Sequence, residues 1–274
     1  MDTFAQAIVM GVVQGLTEFL PVSSSGHLII VPYLAGWHDP FITSLAFSVM
    51  LHIGTLVALL LYFRADWLRL VPAGLATIRD RSFDGDQDRR LAWLLVVATV
   101  PALVIGVLLN DVVEKRFREV GLVALMLVVG GAILWLAERR GSRRLLAFDL
   151  TFPKAVGIGL AQAIALVPGI SRSGISISAG LFAGLDRESA ARFSFLMATP
   201  VTAAAAAYET LKVVRGDIGV AVEVGPMLAG MATSLVFGIV AIAVLLRLLR
   251  TRSTDVFVAY RVVLAAIVLV TWLG

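Results

Sequence analysis

The sequence predicts an all-α, polytopic membrane protein with about six transmembrane helices plus two opposed re-entrant helical hairpins in an inverted repeat. Three observations lead there. Of 274 residues, 59% are hydrophobic and 15% charged, with a mean hydropathy of +0.93, whereas soluble domains average about 45–50% apolar and roughly 25% charged. The apolar excess falls in long blocks rather than being scattered. Two segments, one near the start of each half, carry the same polar interruption between short apolar arms.

Blocks able to span fall at 43–63, 91–109, 120–137, 193–213, 224–248 and 257–273. Each reaches or approaches the ~20 residues that a hydrocarbon core of about 30 Å requires. Residues 4–36 break at Pro21-Val22-Ser23-Ser24-Ser25-Gly26, and residues 153–185 break at Pro168-Gly169-Ile170-Ser171-Arg172-Ser173-Gly174. Each arm would be only ~15–26 Å long at 1.5 Å per residue, too short for two crossings. A pair of short helices meeting at a tip inside the membrane fits better.

Charge orients the chain. Arginines 64, 69, 79, 81, 89 and 90 fill one connector, and Arg139, Arg140, Arg143, Arg144 and Lys154 fill another. Arg247, Arg250, Arg252 and Arg261 surround the last connection. The linkers near 110–119 and 214–223 are balanced or acidic. The positive-inside rule makes the first three cytoplasmic and the other two external. The first hairpin then enters from outside and the second from the cytoplasm. Arg187, Glu188 and Arg192 read as a cytoplasmic helix start, and Glu209 as interfacial near an outer helix end.

Several function classes drop out. With no cysteine, disulfides, thiolate nucleophiles and Cys-ligated metals are excluded, and His27, His38 and His52 do not make a zinc site by themselves. The net charge of +4 reflects arginine-rich loops rather than nucleic-acid binding. Residues 1–10 lack a basic region ahead of their apolar run, so no cleaved signal peptide is expected.

The hairpins are related. An offset of 148 residues aligns 7–47 with 155–195 without gaps and matches Ala7/Ala155, Gly11/Gly159, Gln14/Gln162, Ser23/Ser171, Ser25/Ser173, Gly26/Gly174, Ile29/Ile177, Ala35/Ala183, Gly36/Gly184 and Phe47/Phe195. A duplicated unit with an odd number of crossings inserts its copies upside down. The chain is thus one membrane domain, 1–274, with repeats at about 1–110 and 153–274.

Chemistry concentrates at the tips. Gln14 and Glu18 share a helix face at i, i+4, and a carboxylate in an apolar run costs a few kcal/mol unless it serves a site or a partner. Ser23, Ser24, Ser25 and Gly26 open the next half-helix, where hydroxyls and free N–H groups can cradle an anion. His27, at i+3 from Ser24, is close enough to act on that hydroxyl. His52 sits within a crossing and could line the cavity. At the second tip Arg172, between Ser171 and Ser173 and ahead of Gly174, can grip an anionic oxygen bidentately. Under the 148 offset Arg172 meets Ser24 and Leu166 meets Glu18, so the copies divide the work.

The tip motifs resemble those of the bacterial undecaprenyl-diphosphate phosphatase family, the bacitracin-resistance type. Its pattern (E/Q)-x-x-x-E followed by P-V-S-S-(S/T)-G-H matches Gln14, Glu18, Pro21, Ser23, Ser24, Ser25, Gly26 and His27. Its pattern P-G-x-S-R-S-G-x-(T/S) matches Pro168, Gly169, Ser171, Arg172, Ser173, Gly174 and Ser176. Gln14 replaces the glutamate of many members, and Ser25 and Ser176 stand where threonine is common. The resemblance implies a multi-pass enzyme of the bacterial inner membrane that removes the terminal phosphate of the C55-prenyl diphosphate. Its product, the monophosphate lipid carrier, feeds peptidoglycan synthesis. It further implies an active site facing the extracytoplasmic side and a divalent cation, Mg²⁺ or Ca²⁺. The implied partners are the polyprenyl diphosphate and the bilayer, with a homo-oligomer left open.

The expected roles follow from these residues. Arg172 and the amides near Ser173 and Gly174 hold a phosphate. Ser24 is the nucleophile with His27 or Glu18 as base, Ser23 and Ser25 bond phosphate oxygens, and Glu18 with Gln14 holds the cation. Attack by water activated by Glu18 and His27 fits equally. The rival class is a polyprenyl-phosphate transporter or flippase, against which the unequal tips argue. A channel or anion exchanger would need a ring of pore charges that the sequence lacks.

Overall fold

The computed structural model describes residues 1–83, 85–117, 119–215 and 221–274. They form α1 (Thr3–Phe19), α2 (Ser24–Ala35), α3 (Leu45–Tyr62), α4 (Arg64–Asp80), α5 (Gln87–Arg116) and α6 (Val120–Arg140). After a short 3-10 turn (Ala147–Asp149) come α7 (Phe152–Ile164), α8 (Arg172–Phe182), α9 (Arg187–Arg215), α10 (Val224–Leu249) and α11 (Asp255–Leu273). Six of these, α3, α5, α6, α9, α10 and α11, are long and apolar enough to cross a membrane. They overlie the six blocks expected from sequence. The interfacial position expected for Glu209 lies outside the described residues.

The pattern of packing explains the many small residues. The short helix α1 lies along α10, and α7 lies along α5. At the crossings, a Cβ on Gly11 would sit 2.0 Å from Thr233 Oγ1 and 2.3 Å from the Gly230 carbonyl, while one on Gly159 would sit 2.0 Å from the Ala98 carbonyl. Small residues let membrane helices approach to backbone contact, which substitutes for the hydrophobic drive that lipid cannot provide. The outward faces are apolar instead: Val96, Val100 and Val104 on α5 and Val236, Val240 and Val244 on α10 form i, i+4 rows that stay about half exposed. We expect Gly159→Ala to lower the thermal midpoint of the purified protein, since overpacking costs about 1–3 kcal/mol. Gly157→Ala on the same helix, where a Cβ meets nothing within 4 Å, should not lower it. An unchanged midpoint for Gly159→Ala would show that α5 and α7 do not touch at that point.

The segment 64–80 is a helix, which its arginines concealed. Leu68, Val71, Leu75 and Ile78 form an exposed apolar face on α4, while Asp66 binds Arg192 at 2.9 Å and Arg69 reaches Asp88 at 3.1 Å. The arginine-rich connectors meet one another at this end of the bundle. Glu138 takes Arg143 at 2.8 Å and also Arg187, Glu188 takes Arg250 at 2.8 Å, and Arg139 takes Asp255 at 2.8 Å. Arg261 corrects the sequence reading. Rather than flanking the last connection, it lies inside α11, where helical phase turns it into the protein, and is 0% exposed.

Candidate active site

The tips, the turns that lead into α2 and α8, each hold a serine in left-handed or near-left-handed backbone. Ser23 has φ 75° and Ser171 φ 77°, a conformation that costs a non-glycine residue about 1–3 kcal/mol. Each is held there by capping its half-helix: Ser23 Oγ accepts from the Gly26 N–H at 3.3 Å, and Ser171 Oγ from the Gly174 N–H at 3.1 Å. The same hydroxyls pair with Ser25 at 3.3 Å and Ser173 at 3.2 Å. The matched sequence thus folds into matched turns.

The tips touch. Ser23 Oγ accepts the Gly169 N–H at 3.1 Å, and the Ser173 hydroxyl donates to the Leu20 carbonyl at 2.9 Å. Gly169 needs its φ of 100°, and a Cβ there would lie 2.6 Å from the Val123 carbonyl. These contacts change the parts expected for several serines. Ser23, Ser171 and Ser173 spend their hydroxyls on the scaffold. Ser176 donates to the Arg172 carbonyl at 2.6 Å and pairs with Ser194 at 2.6 Å. All four are buried, and the Gly26 and Gly174 amides are used by the caps. Ser24, Ser25 and Arg172 are the tip groups left partly exposed. Beside them lie the leading amides of α2 and α8, which have no acceptor within their own helices.

Glu18 is where the two tips converge. Its Oε2 accepts from the Ser24 hydroxyl at 2.5 Å and from Gln14 Nε2 at 3.0 Å. Across the carboxylate, Arg172 Nη1 stands 3.8 Å from Oε1, too long for a hydrogen bond but within ion-pair range. That guanidinium is anchored by Thr202 Oγ1 at 2.6 Å. Thr202 lies about 15 Å along α9 from Arg192, at 1.5 Å per residue, so the cluster sits deep between the ends of the bundle. His52, which sequence left undecided, also faces Glu18: its Nδ1 hydrogen-bonds the Ser48 carbonyl at 2.7 Å, and its Nε2 lies 3.4 Å from Oε2.

His27 is placed differently from expectation. Because the Ser23 carbonyl can only accept, Nδ1 carries the hydrogen in the 2.7 Å contact to it. Nε2 then accepts from the Tyr260 hydroxyl at 2.7 Å. With both ring nitrogens engaged, the expected action of His27 on Ser24 is not formed. Helical phase carries the imidazole toward α11 while Ser24 turns back to α1. Tyr260, Thr202 and Arg261 join the site from sequence positions with no local motif; only Arg261, a charge inside the apolar block 257–273, carries a signal in the chain.

A protein-family model described as bacitracin resistance protein BacA matches residues 7–267. The chain belongs to this family. A relative in Desulforudis audaxviator named undecaprenyl-diphosphatase is 45% identical over 97% of this chain and 96% of its own length. Relatives of the same name in Gemmatimonas aurantiaca and Moorella thermoacetica are 45% and 44% identical, each aligned over at least 98% of both chains. The match spans both touching tips, and the chain is a multi-pass protein of a bacterial enzyme family.

Proposed function

We propose that this chain is an undecaprenyl-diphosphatase. It hydrolyses the C55-prenyl diphosphate to the monophosphate carrier and inorganic phosphate in the bacterial inner membrane, recycling the carrier for cell-wall synthesis. One observation carries the chemistry: a serine hydroxyl 2.5 Å from a buried carboxylate, with an arginine 3.8 Å across it. Phosphoryl transfer asks a protein mainly to position groups and to neutralise charge. A carrier would have no use for an activated hydroxyl.

In this mechanism Glu18 takes the Ser24 proton as Oγ attacks the terminal phosphorus. The anhydride P–O bond breaks, and its electron pair leaves on the prenyl monophosphate. Glu18 gives that proton to the departing monophosphate and is a carboxylate again. It then deprotonates a water that attacks the phosphoserine, and returns the proton to Ser24 Oγ as the serine P–O bond breaks and inorganic phosphate leaves. Arg172, Ser25 and the leading amides of α2 and α8 hold the phosphoryl oxygens as charge builds. His27 holds the Ser23 turn and so positions Ser24.

A divalent cation, Mg²⁺ or Ca²⁺, suits the donors present. Gln14 Oε1 is buried with no partner among the described residues, on the amide whose Nε2 donates to Glu18, and rotating that amide would turn its oxygen toward the carboxylate. Such an all-oxygen pair suits a hard ion that completes its shell from phosphate and water. Gln14 and Glu18 would hold it, and bound there it would neutralise diphosphate charge.

We read α1–α2 and α7–α8 as opposed re-entrant hairpins of an inverted repeat, about 1–110 and 153–274. The matched caps, the touching tips, and the exchange by which α1 packs on α10 and α7 on α5 support this. We assign the site to the extracytoplasmic side; the arginine-rich end, cytoplasmic by the positive-inside rule, supports the orientation of the helices behind that reading.

The test is purified protein in detergent given the prenyl diphosphate and quenched during turnover. The wild type should release phosphate and accumulate phosphate on Ser24, and Ser24→Ala should do neither. Release without a phosphoenzyme, retained in Ser24→Ala, would replace the covalent route with direct attack by water. No release from the wild type would sink the hydrolase reading.

A further inference from the structure

Arg261 is a fully buried cation whose hydrogen bonds, among the described residues, go to carbonyls and to no acid. Its Nε donates to Leu127 O at 2.9 Å, Nη1 to Pro21 O at 3.2 Å, and Nη2 to Gly169 O at 2.6 Å and Ile170 O at 2.8 Å. The Met126 carbonyl lies 3.4 Å from Nη2. A lone charge at membrane depth is expensive to bury, so its retention calls for a reason beyond packing. The acceptors give one. They come from three separate places: the first turn, the second turn and the middle of α6.

Space is kept for the guanidinium as well. A Cβ on Gly130 would lie 2.2 Å from Nη2 and 2.6 Å from the Ile170 carbonyl that Nη2 binds, and one on Gly174 would lie 3.0 Å from both Nη1 and Ser171 Cβ. Arg261 is not alone in holding α11 on α6, because Arg139–Asp255 at 2.8 Å and Glu138–Thr254 at 3.1 Å also join them where α11 begins.

We infer that Arg261 is a positioning residue for the hydrolytic site: it ties the turn before Ser24 to the turn before Arg172. It thereby sets the gap between the Ser24–Glu18 pair and the guanidinium opposite. Pro21 lies three residues before Ser24, and Gly169 lies three residues before Arg172. The planar fork of arginine can reach both turns and α6 at once, where a lysine has one point of attachment. This inference rests on the reading of the two tips as one phosphatase site.

The test compares kcat and KM for phosphate release from the prenyl diphosphate by the purified full chain and its variants. Arg261→Met and Gly130→Ala should each lower kcat about 100-fold, the scale of an ångström-sized misplacement. In both, KM should stay within about threefold, because substrate contacts remain. Arg261→Lys should recover about tenfold of that loss by keeping the charge and part of the bonding. Arg139→Ala, which opens a contact between the same two helices away from the tips, should turn over like the wild type.

Wild-type kcat in folded Arg261→Met or Gly130→Ala would overturn the inference. So would failure of Arg261→Met, Arg261→Lys and Gly130→Ala all to fold, which would make Arg261 a folding residue. Arg172→Ala, run alongside, separates the two readings. If it is inactive beside an active wild type, the phosphatase site stands whatever Arg261 does.

Discussion

Arg172→Ala is expected to lower phosphate release by about 10³-fold or more, the scale on which an arginine neutralises a transferring phosphoryl group. The side chain is suited to that task because its anchor is not its counter-ion. Thr202 fixes Nη1 at 2.6 Å, while Glu18 stands off at 3.8 Å, leaving the remaining N–H groups of the fork for two phosphate oxygens. Arg172→Lys should keep the charge and lose the fork, giving an intermediate loss. Thr202→Ala should cost less still, since the guanidinium keeps its charge and loses only its orientation. Steady-state kinetics on the purified variants check the order. Arg172→Ala turning over at the wild-type rate would remove the clamp from the mechanism.

Glu18→Gln is expected to be the other severe variant, with kcat reduced by about 10²–10⁴-fold, the usual worth of a positioned general base. The amide is nearly isosteric, so packing against Gln14 should survive. What disappears is the ability to take the Ser24 proton and the formal charge that accepts from Gln14 Nε2. Glu18→Asp keeps the acid but shortens its reach to the hydroxyl, now 2.5 Å away, and should fall between. A folded Glu18→Gln protein with full activity and an intact phosphoserine would transfer the base role to another group, with His52 the nearest at 3.4 Å from the carboxylate.

Much of this architecture can be read from the chain because membrane physics writes long signals. A span needs some twenty apolar residues in a row, and all six blocks fall on helices. Tip residues that share a local motif, such as Gln14 with Glu18 or Ser23 with Gly26, are brought together by helix periodicity and capping, both short-range rules. The helix α4 was hidden because its arginines dominate the charge count, although Leu68, Val71, Leu75 and Ile78 keep helical spacing. The partners of His27, Arg261 and Arg172 are not legible for a different reason. His27 finds Tyr260, Arg261 finds carbonyls at Pro21 and Gly169, and Arg172 finds Thr202, each from a distant part of the chain. Backbone carbonyls have no residue identity, so a side chain that binds them leaves no complementary letter in the sequence. The serines show the same limit. Local pattern marks them as polar tip residues, but only the meeting of the two turns decides that Ser23 and Ser173 face protein while Ser24 and Ser25 stay partly open.

The most direct measurement of whether both tips form one hydrolytic centre is a double-mutant cycle between them. The purified Glu18→Asp and Arg172→Lys proteins and the double variant would be compared by kcat/KM with the wild type. Residues acting on one phosphoryl group are strongly non-additive, so the double variant should fall well short of the product of the two single losses. Losses that multiply, with no coupling between Glu18 and Arg172, would mean that the two hairpins serve separate sites.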